Sequence, residues 1–165
     1  MKVGVVMGSD SDFPVVVKAL DILKAFGVKV TVRVLSAHRT PKEALAFAMG
    51  ASQEGIEVMI AAAGKSAHLP GVMAAMTTVP VIGLPIMSST LDGLDSLLSI
   101  VQMPKGIPVA TVAINGGENA GILAVQILSV KYPELGEAMK QYRDQMQLEV
   151  LEKDESMVQK TRDYR

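Results

Sequence analysis

Five short apolar runs, each followed by a polar loop and then by a stretch of helical periodicity, constrain the fold of this chain more than any other feature. They are Lys2 to Met7, an alternating run of Val28, Val30, Val32 and Val34 ending near Ser36, Val58 to Ala63, Val79 to Ile86 and Val109 to Ile114. Five strands alternating with helices mean a parallel sheet covered on both faces, an α/β architecture. The intervening helices are predicted at Phe13 to Phe26, Pro41 to about Glu54, Gly71 to Thr78, Leu94 to Met103 and Ala120 to Val130. A long charged helix follows from Pro133 to about Glu155, with Leu135, Met139, Tyr142, Met146 and Val150 recurring at helical spacing. The tail from Ser156 to Arg165 is expected to fray. At 165 residues this is a single domain, residues 1–165, with room for a full core.

Open parallel sheets bind their ligands at the carboxyl ends of their strands, so the loops there carry the functional reading. After the first strand, Gly8-Ser9-Asp10-Ser11-Asp12 feeds a helix with Pro14 in its first turn. Such a turn offers backbone N–H groups and hydroxyls to an anion, usually a phosphate. Asp12 as a plain helix cap and Ser9 as a plain turn residue are the bland alternatives. After the second strand, Thr40-Pro41 with Glu43 has the form of a capping box. His38 and Arg39 therefore occupy a very short strand-to-helix loop, a proton carrier beside an anion clamp. A solvated arginine and a backbone-bonded histidine would be the plain reading. After the third strand, Gly64-Lys65-Ser66-Ala67-His68-Leu69-Pro70-Gly71 holds the only other histidine.

Composition removes several classes of function. Lys and Arg number 16 against 17 Asp and Glu, with no basic run, so nucleic acid and acidic membrane surfaces are not expected partners. Cysteine is absent, which excludes thiol catalysis, thiolate metal sites and disulfides and fits a reducing compartment. Two histidines far apart, with no acidic residue near either in sequence, argue against a metal. Nothing at the amino terminus resembles a signal peptide, and the expected location is the cytoplasm. Hydrophobic residues make up 49% of the chain, and no charge occurs from Leu69 to Leu91. Pro70, Gly71, Pro80, Gly83 and Pro85 break that segment too often for a membrane span. Burial between subunits is expected for it, with an ordinary core segment as the alternative.

Together the first three loops describe a site for a phosphorylated riboside. No Gly-x-Gly-x-x-Gly, P-loop or nucleophile with an adjacent base is present, so the chemistry expected is proton transfer. The segments Met7 to Asp12, Ser36-Ala37-His38-Arg39-Thr40-Pro41, Ala67-His68-Leu69-Pro70-Gly71, Leu94 to Pro104 and Asn119-Ala120-Gly121 closely resemble the PurE family, the N5-carboxyaminoimidazole ribonucleotide mutases of purine biosynthesis. The resemblance runs from the first strand into the terminal helix. It implies a flavodoxin-like three-layer sandwich in a homo-octamer, with active sites at subunit contacts and no cofactor. It also implies that Ser9, Ser36 and Arg39 hold the phosphate, with Ser11 in the same binding loop. Asp12 would hold the ribose, and His38 would be the general acid and base. Gly64, Lys65, Ser66, Ala67, His68 and Leu69 would surround the aminoimidazole and carbon dioxide. One departure stands out, because the mutases usually carry Gly-Gly-Ala where this chain has Gly64-Lys65-Ser66. A basic residue followed by serine resembles the direct aminoimidazole ribonucleotide carboxylases. A flavodoxin-like phosphate- or nucleotide-binding module without catalysis is the reading from another class.

Overall fold

A computed structural model describes residues 1–164. Five parallel strands, β1 (Lys2–Met7), β2 (Lys29–Val34), β3 (Val58–Gly64), β4 (Val81–Ile86) and β5 (Ala110–Thr111), form one sheet in the order β2-β1-β3-β4-β5. This is the flavodoxin-like order. Val5 lies opposite Val32 on one side and Ile60 on the other, and Ile60 in turn opposite Ile82. The chain leaves β1 for one edge and returns to its other side as β3. The loops after β1, β2 and β3 therefore flank a topological switch point, where a crevice opens.

Side chains alternate across the sheet, and each face has its own core. On one face Val3, Val5, Met7, Val58, Ile60 and Ala62 meet α1 (Phe13–Ala25), α5 (Gly117–Ser129) and the start of α6 (Pro133–Lys160). On the other, Val6, Met59, Ala61 and Ala63 meet α2 (Pro41–Gly50), α3 (Leu69–Met76) and α4 (Leu94–Val101). Covering on both faces is why β1, β3 and β4 read as continuous apolar runs. Helices α1 and α5 approach so closely that a Cβ on Gly117 would lie 2.3 Å from the Val15 carbonyl oxygen, and one on Gly121 2.8 Å from the Ile22 Cβ.

Two expectations change. β5 keeps only two residues, because it is an edge strand paired to β4 alone. Helix α6 runs on to Lys160 and a 3-10 turn follows at Arg162–Tyr164, where a frayed tail was expected from Ser156. Leu135 and Met139 are its buried residues, and Tyr142 packs edge-on against Phe26 with centroids 5.6 Å apart. Of the uncharged Leu69 to Leu91 segment, all of β4 and the Leu69, Pro70 and Met73 side of α3 are core within the chain, while Met87 and Leu91 stay exposed. Val30, Val32 and Val34 of β2 remain 37 to 52% exposed in a single chain. No helix among the described residues is long and apolar enough to cross a membrane.

Candidate active site

The loop after β1 is folded by its own polar side chains. Gly8 N–H donates to the Ala62 carbonyl at 3.1 Å, fastening the loop to β3. Ser9 N–H donates to Asp12 Oδ2 at 3.1 Å while Ser11 N–H donates to Ser9 Oγ at 3.3 Å, a reciprocal cap around a 3-10 turn at Asp10–Asp12. The capping box thus forms here and not at Thr40. Thr40 Oγ1 accepts from Ser36 N–H at 2.9 Å and donates to the Ser36 carbonyl at 3.2 Å, because the short loop folds it back onto the strand end. Asp12 is 7% exposed. Burial pushes its carboxyl above the usual value, outweighing the hydrogen bonds from Ser9, Ser11 and Gly8 that favour the anion.

The loop after β2 reaches across to the first. Ser36 Oγ accepts from Arg39 N–H at 3.2 Å, and Arg39 Nη2 donates to the Gly8 carbonyl at 3.2 Å. The guanidinium is thereby held beside Ser9, with no carboxylate partner among the ion pairs of the described residues. Ser9, Ser36 and Arg39 line both the main cavity and a small recess beside it, which Asp10 also lines, and bring hydroxyl and guanidinium donors of the kind that bind phosphate.

The loop after β3 is strained. Lys65 has φ 57°, in the left-handed region that favours glycine. His68 N–H donates to the Ser66 carbonyl at 2.8 Å, and the His68 carbonyl accepts from Val72 N–H at 3.0 Å, setting the first turn of α3. His38 Nε2 and His68 Nδ1 stand 2.8 Å apart, with the rings edge to face at 86°. Both histidines are exposed.

One cavity of about 570 Å³ joins these loops. Ser9, Ser11 and Asp12 line it from the first, Ser36, His38 and Arg39 from the second, and Gly64, Lys65, Ser66, His68 and Leu69 from the third. Ala67 does not, being fully buried beneath the third loop. Sequence reasoning missed a fourth wall. Met87 and Ser88, at the carboxyl end of β4, also line the cavity. Ser88 Oγ donates to the Asp95 carboxylate, 2.9 Å from Oδ2, and Asn115 Oδ1 accepts from Met87 N–H at 2.9 Å. The polar run after β4, at the same sheet edge as the other three loops, was the signal. Among the described residues no three His, Cys, Asp or Glu side chains come together as metal ligands would.

A family model described as AIR carboxylase matches residues 2–149. The chain belongs to the AIR carboxylase family. N5-carboxyaminoimidazole ribonucleotide mutase of Thermotoga maritima is 55% identical over 158 residues, covering 96% of this chain and 92% of that protein. The chloroplastic phosphoribosylaminoimidazole carboxylase of Vigna aconitifolia is 53% identical over 148 residues, 90% of this chain but 27% of that longer protein. The crystal structure of Treponema denticola PurE superposes with a TM-score of 0.83 at 29% identity, covering 94% of this chain and 97% of that one. Within this family frame the four loops above are the carboxyl edge of a flavodoxin-like sheet, and the two histidines share one cavity.

Proposed function

We propose that this AIR carboxylase family member is an N5-carboxyaminoimidazole ribonucleotide mutase of purine biosynthesis, moving a carboxyl group from the exocyclic nitrogen to C4 of the imidazole. The observation that carries the reading is an imidazole, His38, in one 570 Å³ cavity with a buried aspartate and with an arginine that forms no ion pair among the described residues. That volume suits a mononucleotide. Arg39, Ser9, Ser11 and Ser36 bind the phosphate as a charge-assisted clamp, and Asp12 accepts from the ribose hydroxyls. His38 gives a proton to the carbamate nitrogen, the N–C bond pair stays on nitrogen, and carbon dioxide departs. The electron-rich C4 then captures it, and His38 removes the C4 proton. A retained carbon dioxide molecule beside C4 is at a high effective concentration, so the recapture is intramolecular in character. No cofactor has a part in this scheme. Purified protein converting the carbamate nucleotide to the C4 carboxylate, with the phosphate-binding variant Arg39→Ala weakened, tests it.

Direct carboxylation of aminoimidazole ribonucleotide is the second reading, favoured by Lys65-Ser66 in the cavity wall, since a cation there can attract a carboxylate. Offering each substrate separately distinguishes the two. The chain works as a homo-oligomer, an octamer on the family reading, in the cytoplasm. In support, Leu94, Leu98 and Val101 form an exposed apolar stripe along α4 at 3-4 spacing, and the far half of α6 exposes Met146, Val150 and Leu151. Light scattering showing a monomer at micromolar concentration would contradict it.

A further inference from the structure

Two nitrogens 2.8 Å apart leave room for one proton between them, so one imidazole donates and the other accepts. The chemistry proposed above fixes the direction, and the inference rests on that reading. When His38 is the acid it is protonated on both nitrogens. Its Nε2–H then faces His68, so His68 Nδ1 must be bare and the His68 proton must lie on Nε2. When His38 has given up its substrate proton, the same arrangement persists only if the proton lost was the one on Nδ1. The hydrogen bond then runs from His38 to His68 in both halves of the cycle, and neither ring has to change tautomer.

We propose that His68 is the positioning residue of the acid–base group, holding the Nε2–H of His38 so that Nδ1 of His38 is the atom that exchanges the proton with the substrate. In the first half, the Nδ1 proton passes to the carbamate nitrogen as carbon dioxide leaves. In the second, the C4–H bond pair returns to the imidazole ring of the substrate and its proton returns to the same Nδ1. One proton is given and one taken, so the pair ends as it began. Among the described residues no protein group bonds His38 Nδ1, which leaves it for the substrate. The edge-to-face ring geometry points a ring nitrogen of each histidine at the other instead of stacking them, as such a bond requires. A neutral imidazole in this place does what a carboxylate does in a catalytic triad, orienting the base, without adding a negative charge beside a substrate that carries a carboxylate.

His68 is exposed, so replacing its side chain leaves the core intact. His68→Ala removes the acceptor, whereas the amide oxygen of His68→Asn stands near the place of Nδ1 and can accept from His38. The expected result is a fall in kcat of roughly 100-fold for His68→Ala with KM within about threefold, and recovery of most of that loss in His68→Asn. Equal losses in both variants, expressed chiefly in KM, would show His68 binding the substrate carboxylate and would overturn the proposal. Nitrogen-15 spectra of the free protein give a readout that needs no turnover. They should show His38 protonated at Nε2, with this preference lost in His68→Ala. A His38 protonated at Nδ1, or a spectrum indifferent to His68→Ala, would also overturn it. Because the spectrum is recorded without substrate, failure of the histidine pair and failure of the proposed activity are separate results.

Discussion

The two ends of the sheet are built from the same strands and are opposite in character. At the amino end, Glu57 just before β3 gathers Lys131 Nζ at 2.7 Å, the Tyr132 hydroxyl at 3.0 Å and the Met1 ammonium at 3.5 Å. The hydrogen bond from Lys131, and then that from Tyr132, hold its carboxyl below the usual range despite some burial. At the carboxyl end, burial holds the Asp12 carboxyl above it. There Lys65 and Asn115 are left-handed, the Arg39 guanidinium bonds a backbone carbonyl and a serine hydroxyl and forms no ion pair among the described residues, and two histidines bond each other. One end is satisfied by the chain itself. The other keeps its charges and strain for a ligand, as functional sites do.

Removing the proton carrier breaks the active end most severely. His38→Asn should lower kcat by about 1,000-fold or more while the nucleotide still binds, measured by turnover beside calorimetric titration. Arg39→Ala comes next, weakening nucleotide binding by roughly 2 to 4 kcal/mol if the phosphate bond is charge-assisted and desolvated. An unchanged affinity would make Arg39 a surface charge. At the opposite end, Glu57→Gln should lower unfolding stability by about 1 kcal/mol and leave turnover alone, as denaturant titration beside an assay would show. Lys65→Gly should add about 1 kcal/mol, because glycine takes the left-handed conformation without strain, and keep most activity on the carbamate nucleotide.

The ends also part company with pH. Glu57 is a stronger acid folded than unfolded, so its stabilisation is present above the unfolded value and is lost as pH falls through the lowered folded one. Asp12 is a weaker acid folded, so its contribution is present below the unfolded value and is lost as pH rises through the raised folded one. At neutral pH Asp12 therefore opposes folding. Asp12→Asn should raise the unfolding midpoint at pH 7 more than at pH 4 while impairing nucleotide binding, and a lower midpoint at pH 7 would refute this account of the buried carboxylate.

The satisfied end was invisible in the sequence and the active end largely legible. Glu57 and Lys131 meet only because β3 and the turn between α5 and α6 share the amino edge, a matter of topology. The loops after β1, β2 and β3 announced themselves, because an apolar run ending in Gly, Ser or His marks the carboxyl edge wherever strands are parallel. The bond between His38 and His68 did not. The sheet order leaves β2 and β3 separated by β1, about 10 Å, a gap two imidazoles can close only with particular side-chain rotamers. Thr40 showed the pattern of a helix cap yet bonds Ser36, since sequence spacing cannot tell a cap from a loop tie. Ser88 and Asn115 escaped notice because serine and asparagine are ordinary turn residues and only their place beside the cavity gives them meaning.

The central claim, that the carboxyl end transfers a carboxyl group already on its nucleotide, is tested most directly by competing the two substrates. Purified protein is given the carbamate nucleotide in one vessel and aminoimidazole ribonucleotide with carbon dioxide in another, at matched pH. Faster turnover of the carbamate nucleotide is expected, abolished in His38→Asn and largely kept in Lys65→Gly. Faster turnover of the second pair, lost in Lys65→Gly, would contradict it and make this protein a direct carboxylase.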